Sequence, residues 1–427
     1  MININANYSY KEESIQMFFG INFNHGIGSV GDLPIPFDTV LNISALVIVL
    51  TFVFLKVSWK ESILINTETV FEDKQNLFGK ILGVFTLLLL VLPGFISDES
   101  AKTSVVPLIL WVFLWIGVPV LGLIFGDVYA KFNPIAILNL ESKKPNNVYL
   151  ASILFLGLTW FELVWNKPGN PQHIGTVFLI LFLVTNLVKK SSKSSSIEVD
   201  PLLLLHHLYS KLRLTNKKPF LKGLLENIAN LTNLKGMEYF ILLMIGTVTY
   251  DGLRGTTFWY NQFGSSTLDL GFSTIAFFSI NLVVILFYRF ACWFAIKISG
   301  ENLNLNNVSL QFGHTMLPIA FAYHVTHYLS LLLYESQSTV YRFNDPFGTG
   351  LNLFDVNEVT INYFLTPVAL WGIQVFLTLA GHMLSVVLAH DLAVKLFGHQ
   401  QSDKTQYIFL LITVCLTLQA LFVLSVP

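Results

Sequence analysis

Charged residues and cysteines are both scarce in this chain of 427 residues. Asp, Glu, Lys and Arg together make up 12% of it, against roughly 25% in soluble domains. That shortage argues against an ordinary soluble enzyme, and the net charge of −1 argues against a nucleic-acid-binding protein. With only two cysteines, in apolar runs, a disulfide framework is excluded.

Sequence motifs for nucleotide binding are also lacking. There is no Cys-x-x-Cys pair, no Walker loop and no GxGxxG motif between a strand and a helix. We therefore expect no ATPase motor within this chain.

Long apolar segments fill most of the sequence instead. Hydrophobic residues make up 53% of the chain, and the mean hydropathy is +0.62. A bilayer core needs roughly 20 apolar residues per helix. Segments of that kind lie at about 37–56, 78–97, 105–126, 148–167, 172–189, 271–296, 308–334, 365–390 and 405–426. A shorter candidate runs from Met237 to Tyr250. The sequence predicts an all-α polytopic membrane bundle of about ten transmembrane helices.

Basic residues are distributed unequally between the two sides of these spans. When the loops are assigned alternately, 20 of the 25 Lys and Arg residues fall on one side. The positive-inside rule makes that side cytoplasmic. Both termini are then predicted to be non-cytoplasmic, in a protein of the plasma membrane.

Four regions follow from this topology. We expect an outer N-terminal segment at 1–36 and a first five-span bundle at 37–190. A basic, amphipathic cytoplasmic linker at 191–236 is expected to lie on the anionic leaflet. A second five-span bundle completes the chain at 237–427.

Ionisable residues within the spans are expensive and mark candidate sites. With a rise of 1.5 Å per residue, four of them lie roughly 20 Å or more from the cytoplasmic end of their spans. This outer set comprises Glu162, Asp251, His324 and His327. An inner set comprises His314, His382, His390 and Asp391. Asp127 also lies at the cytoplasmic edge, where Gly126 and Asn133-Pro134 predict a helix end, a turn and a short helix over 135–140.

His324 and His327 are three residues apart on one predicted helix face, the spacing of two imidazoles that bind one metal ion. Zinc or copper is the expected metal, with Asp251 or Glu162 completing the ligand shell or acting as a catalytic base. Alternatively, each imidazole hydrogen-bonds a neighbouring helix.

Asp251 and Gly252 follow a short span. An interruption at membrane depth is tolerated only where the backbone is sheltered or lines a cavity, which predicts a binding site. The alternative is a tilted helix whose Asp251 reaches the interface.

Several motifs, in this order along the chain, resemble those of a prokaryotic membrane family whose members are commonly labelled fenitrothion hydrolase. They are Gly31-Asp-Leu-Pro-Ile-Pro36, Phe125-Gly-Asp127 with Asn133-Pro134, Tyr250-Asp251-Gly252, His314-Thr-Met-Leu-Pro-Ile-Ala-Phe-Ala-Tyr323 with His327-Tyr328-Leu-Ser330, and Gly381-His382 with Ala389-His390-Asp391.

The resemblance implies hydrolysis of an organophosphate ester, for which a metal-activated water is suitable. It also implies a secretory signal that ends before a His-Gly pair, here His25-Gly26, whose free amine and imidazole would chelate copper. Residues 1–24 depart from that pattern, since they lack a strong apolar core and an Ala-x-Ala site.

Three functions therefore stand side by side. The first is a membrane-embedded metal-dependent hydrolase, and the second is a secondary transporter or proton-coupled carrier. The third is a subunit of a larger membrane complex. The lipid bilayer is a partner in all three, and the small-molecule substrate is not readable from the sequence.

Overall fold

The computed structural model describes residues 37–64, 75–96, 104–138, 142–214, 220–231, 233–347, 349–356 and 359–425. Every regular element in these ranges is helical, apart from one isolated bridge pair between Asn147 and Lys235.

Ten long helices form the body of the described chain. They are α1 (Phe37–Ser58), α2 (Leu77–Ile96), α3 (Val105–Phe125), α4 (Tyr149–Leu163), α5 (Pro171–Ser192), α6 (Met237–Arg254), α7 (Leu270–Ser299), α8 (Leu305–Asn344), α9 (Pro367–Phe397) and α10 (His399–Ser425). Shorter helices lie at Val128–Phe132, Ser196–Val199, Pro201–Ser210, Phe220–Ala229 and Thr257–Phe263, with a 3-10 turn at Gly264–Leu268.

Two of the long helices are irregular. α3 is π-helical over Leu108–Gly117. α8 contains 3-10 turns at His314–Met316 and Ser336–Ser338 and a π-helical turn at Leu331–Glu335. Such departures from α-helix are frequent near functional or strained positions.

Eight of the ten helices, all except α4 and α6, are long and apolar enough to cross a membrane. Their outer surfaces carry large exposed apolar side chains, among them Phe54, Ile275 and Phe376, which are 68%, 70% and 68% exposed. Continuous apolar surface of this kind is unfavourable in water and suits a lipid environment. The protein is therefore a helical integral membrane protein.

α6 differs from the other long helices because almost all of its residues are buried by its neighbours. It contains Glu238, Asp251 and Arg254, and its 18 residues span about 27 Å. A helix that is shielded from lipid on all sides does not need a uniformly apolar surface, which is why hydropathy alone passes over it.

The predicted interruption at Asp251-Gly252 is wrong, since α6 continues through both residues to Arg254. Gly252 serves a close helix–helix contact instead. A Cβ atom added there would lie 2.0 Å from Cγ1 of Val423 on α10. The glycine is required for packing rather than for a break in the helix.

One end of the bundle, here called the basic end, collects the end of α1 and the starts of α6, α8 and α10. Lys56 and Asp403 form an ion pair of 3.3 Å between α1 and α10. A Cβ atom on Gly313 would lie 2.7 Å from Cβ of Glu238, at the start of α6. Most of the Lys and Arg residues are assigned to loops at this end.

The opposite end collects the other termini. Arg254, at the end of α6, donates a hydrogen bond to the Leu163 carbonyl at the end of α4. A Cβ atom on Gly94, near the end of α2, would lie 2.7 Å from the Pro171 carbonyl at the start of α5. If successive long helices cross the bundle in alternating directions, the two helix ends at each of these contacts are expected on the same side. The contacts agree with that alternation.

α1 packs against α9 and α10 rather than against its neighbours in sequence. Ile48, Phe52 and Leu55 form an apolar cluster with Val386 of α9. By its contacts, α1 thus groups with helices from the second half of the chain. One helix of the first predicted five-span group therefore packs among helices of the second.

The segment predicted to lie on the lipid surface is partly inside the protein. Pro201–Ser210 packs against α3, α4 and α8, and Leu202 to Leu205 are fully buried. Asp200 caps this helix by accepting hydrogen bonds from the Leu202 and Leu203 N–H groups, both at 3.0 Å. The amphipathic signal came from the basic residues beyond Ser210, whereas the helix itself has no broad polar face for an interface.

Glycine and asparagine determine how the segment after α3 turns. Gly126 ends α3 with φ of 76°, as the sequence predicted. Asn133 does not open a helix, because 133–138 is irregular. Its Oδ1 accepts hydrogen bonds from the N–H groups of Ile135 and Ala136, which is the geometry of an Asx turn.

Candidate functional site

A close contact between two ionisable side chains joins α6 and α8 near the opposite end. Asp251 Oδ2 lies 2.6 Å from His327 Nε2. The side chains of His327 and Asp251 are 10% and 24% exposed. The structure thus brings together two members of the outer set, Asp251 and His327.

Glu162 extends this contact from α4. Its carboxyl group lies beside the Tyr328 hydroxyl and near Asp251. Glu162 Oε2 is buried and has no hydrogen-bond partner among the described residues. We call Glu162, Asp251, His327 and Tyr328 the carboxylate cluster.

Aromatic rings and one basic side chain border the carboxylate cluster. Arg254, three residues after Asp251, donates to the carbonyl of Leu163, the residue after Glu162. The Trp115 ring from α3 stands edge-on to Tyr328, with centroids 6.4 Å apart. Two carboxylates near one another in a low-dielectric medium are stabilised when they share a proton with each other or with an imidazole. The arrangement is therefore suited to binding and releasing a proton.

His324, three residues before His327, borders this cluster through the Tyr328 ring, with centroids 5.0 Å apart, but its hydrogen bond lies elsewhere. Its Nε2 lies 2.8 Å from the Trp115 carbonyl oxygen, and its ring lies 5.4 Å from the Trp115 ring. The two imidazoles therefore bind different partners. The sequence alternative of an interhelical hydrogen bond describes His324 better than the paired metal ligand.

Pro119 explains why the Trp115 carbonyl needs a partner from another helix. In an α-helix the Trp115 carbonyl would accept from the N–H of residue 119, and in a π-helix the Leu114 carbonyl would do so. Proline has no N–H, so the carbonyl that would have accepted from residue 119 loses its donor. His324 Nε2 lies 2.8 Å from the Trp115 carbonyl, whereas His206 lies between the Leu114 and Leu202 carbonyls. His324 thus compensates for the donor that Pro119 lacks.

No group of three or more His, Cys, Asp or Glu side chains that could hold a metal ion occurs in the described part of the chain. Structural metal sites need about four protein ligands and catalytic sites three. Among the described residues, His324 and His327 therefore lie in no group of three or more such ligands, and the zinc or copper site stays a prediction. His25, the weaker candidate for copper, lies outside the described residues.

His390 and Asp391, at the end of α9, fasten the segment that follows α1. Asp391 accepts hydrogen bonds from Trp59 Nε1 at 3.0 Å, from Ser62 Oγ at 2.8 Å and from the Ile63 N–H at 2.8 Å. His390 lies 2.9 Å from the Trp59 carbonyl. The Asp391 carboxylate is thus occupied by the segment that follows α1. We call this arrangement the basic-end clamp.

Asp127 has the turn-making role that the sequence favoured. It caps Val128–Phe132 by accepting from the Ala130 N–H at 3.1 Å, and its Oδ2 lies 2.9 Å from His207 Nδ1. Burial tends to raise the pKa of the Asp127 carboxyl, but the hydrogen bond and charge of His207 outweigh burial and leave that pKa lowered. The carboxylate is therefore ionised at neutral pH.

His314 and His382, the remaining inner candidates, lie inside the bundle. His382 is fully buried on α9, and its Nδ1 lies 2.7 Å from the Thr378 carbonyl. Nδ1 of His314 and Nε2 of His382 have no hydrogen-bond partner within the described ranges.

Sequence reasoning missed several polar residues that the structure brings into the interior. They are His206, Gln374 and Thr378. The effect of Pro119 on α3 was missed as well. One signal was available: Gln374, Thr378, His382 and Ser385 recur at helical spacing in an otherwise apolar segment. The pairing of His206 and His324 with α3 carbonyls had no such signal, because it joins helices remote in sequence.

Comparison with family models, with curated proteins and with solved structures finds no match to the chain.

Proposed function

We propose that this protein is a secondary carrier that couples the movement of a small solute across the plasma membrane to protons bound at the carboxylate cluster. The observation that carries the proposal is the contact of 2.6 Å between Asp251 and His327, with Glu162 beside it and Oε2 of that carboxyl unpartnered in the described structure. Ionisable groups inside membrane bundles are characteristic of proton relays in transporters.

The helices that contribute the cluster also fit a carrier. α3, α4, α6 and α8 each bring one of its side chains or neighbours, so a proton that binds there changes the charge at the junction of four helices. A change of charge in a low-dielectric interior shifts the relative stability of alternative helix arrangements. That coupling is what a secondary carrier requires.

The proposal includes ten spans, with α4 and α6 crossing as well as the eight apolar helices. The alternation of helix ends between the basic end and the opposite end supports this count. The excess of Lys and Arg in loops at the basic end supports a cytoplasmic location for that end, with both termini outside.

Proton binding is testable without knowledge of the solute. Proteoliposomes adsorbed to a solid-supported membrane are exposed to a pH jump, and the transient charge displacement is recorded. We expect a saturable displacement in the wild type, its loss in Asp251→Asn and a clear reduction in Glu162→Gln. Asp269→Asn is the matched control, since Asp269 is an exposed helix cap near the same end. Equal displacement in wild type and Asp251→Asn would contradict the proposal.

A membrane hydrolase is the second candidate, favoured by the same Asp251–His327 contact. A carboxylate that orients an imidazole is a common arrangement for general-base activation of water. A chromogenic aryl phosphotriester tests this activity, and elemental analysis of the purified protein tests for stoichiometric zinc or copper. Turnover that His327→Gln abolishes would favour the hydrolase, whereas charge displacement without turnover favours the carrier.

A further inference from the structure

α9 carries a row of polar side chains through the membrane interior. Gln374, Thr378, His382 and Ser385 follow one another at intervals of four, four and three residues, which places them on one helix face. They are 5%, 0%, 0% and 2% exposed. The face is therefore turned into the protein and away from lipid.

The row lies against α8. Ser385 Oγ donates to the Thr315 carbonyl at 2.6 Å, and Gln374 Nε2 donates to the Thr326 carbonyl at 2.7 Å. These two contacts hold both ends of the polar face of α9 against α8. We call Gln374, Thr378, His382 and Ser385 the polar track.

Three atoms of the polar track lack hydrogen-bond partners in the described structure: Gln374 Oε1, Thr378 Oγ1 and His382 Nε2. Buried polar atoms are nearly always hydrogen-bonded, and water commonly supplies the partner where protein does not. Single unpartnered polar atoms occur elsewhere in the bundle, such as Asn281 Oδ1 on α7, whereas the track brings three together on one helix face. By contrast, Thr413 and Thr417 of α10 each donate to the carbonyl four residues earlier.

The tautomer of His382 follows from its contact with Thr378. A carbonyl oxygen only accepts, so the His382 Nδ1 at 2.7 Å carries the proton. In the neutral imidazole, Nε2 is then a hydrogen-bond acceptor. The Tyr323 ring of α8 lies 5.6 Å from the His382 ring and is the titratable side chain that faces it there. Nε2 is thus suited to accept a hydrogen bond from water.

The spacing of the track fits single water molecules between successive groups. One helical turn rises about 5.4 Å, and two hydrogen bonds to one water span at most about 5.6 Å. Side chains that incline toward one another from successive turns therefore come within reach of one water.

The track has one end beside the carboxylate cluster and the other toward the basic end. Gln374 bonds to the carbonyl of Thr326, the residue before His327. Ser385 bonds to the carbonyl of Thr315, the residue after His314, whose Nδ1 also lacks a partner in the described chain.

We propose that the polar track binds a file of water molecules through which protons pass between the basic end and the carboxylate cluster. Each proton hops from a hydronium ion to the next water in the file, so one O–H bond breaks as the next forms and no other reactant is needed. The conducting role rests on the proposed carrier function, whereas the presence of the water file does not.

The water file is tested first, in the wild-type protein, by X-ray radiolytic labelling. Hydroxyl radicals formed from bound water oxidise aromatic side chains beside it. Tyr323 and Tyr288 are matched, being 3% and 2% exposed, but only Tyr323 lies beside the track. We expect Tyr323 to be oxidised about tenfold faster than Tyr288, as a water within reach removes the need for radicals to diffuse in. Equal rates would overturn the water file, whatever the cluster does.

Conduction is tested by pH jumps applied to one end at a time, on proteoliposomes of known orientation. Thr378→Val removes the hydroxyl with little change of volume, and Thr413→Val is the matched control. From the basic end, Thr378→Val is expected to slow the charge displacement about tenfold and to leave it unchanged from the opposite end. An unchanged rate from the basic end would overturn conduction while the carrier function stands. If the wild type shows no charge displacement after a pH jump at either end, the carrier function and conduction are overturned together.

Discussion

The basic-end clamp and the carboxylate cluster use the same residue types for different purposes. In the clamp, Asp391 accepts from three groups of the 59–63 segment, none of which titrates near neutral pH. In the cluster, Asp251 contacts an imidazole and lies near a second carboxyl group. A buried Asp with several neutral donors holds chain segments together, whereas one that faces other ionisable groups can exchange a proton.

The largest expected effect is on stability, at the clamp. Asp391→Ala removes a buried acceptor that three partly buried donors share, so we expect a loss of about 3 kcal/mol in the free energy of unfolding. Denaturant titration in detergent micelles measures it. Asp403→Ala is the control, because it breaks only a partly exposed ion pair with Lys56 and is expected to cost about 1 kcal/mol or less. Equal costs would show that the clamp is not a structural centre.

The next effect sharpens the distinction between His324 and His327. His324→Leu leaves the Trp115 carbonyl without its donor, at an expected cost of about 2 kcal/mol. In the background of Pro119→Ala, residue 119 regains an N–H, and the cost of His324→Leu is expected to fall below about 1 kcal/mol. A double-mutant cycle of unfolding free energies measures this coupling. The same cost in both backgrounds would mean that His324 does not repair the proline.

At the carboxylate cluster the expected effect on stability is smaller. Asp251→Asn keeps an oxygen acceptor of the same shape, so we expect a change within about 1 kcal/mol while the charge displacement is lost. The same denaturant titration gives the stability. A cost as large as that of Asp391→Ala would show that the carboxylate cluster stabilises the fold as the clamp does. The proposed difference between the two regions would then be wrong.

The smallest expected change in the free energy of unfolding is that of the single cysteine substitutions that test the topology. Single cysteines at the exposed positions Lys144 and Glu301 should be protected from an impermeant thiol reagent in intact cells. Those at Asn261 and Thr349 should react, since the loops that carry them lie at the opposite end. Exposed substitutions of this kind change stability by about 0.5 kcal/mol or less. Labelling at Glu301 without labelling at Asn261 would reverse the orientation.

Much of the fold could be predicted from the sequence alone. Apolar segments of bilayer length predicted helices that the structure places at nearly the same bounds, and Gly126 and Gly398 end helices where their types indicate. The sequence also selected Asp251 and His327 as members of one outer set, because depth within a span follows from residue count at a fixed rise. These inferences depend on local composition and on periodicity.

Contacts between remote segments were decided only by the tertiary structure. In the sequence, Gly252 directly after Asp251 resembles a helix break. Only the close approach of Val423 shows that this glycine makes room for a contact between two helices. His324 and His327 are equivalent in spacing, but Trp115 and Asp251 separate their roles. A pattern along one helix fixes which residues share a face. It does not show which atom of the neighbouring helix lies opposite that face. That atom determines whether a buried histidine bonds to a backbone carbonyl or shares a proton with a carboxylate.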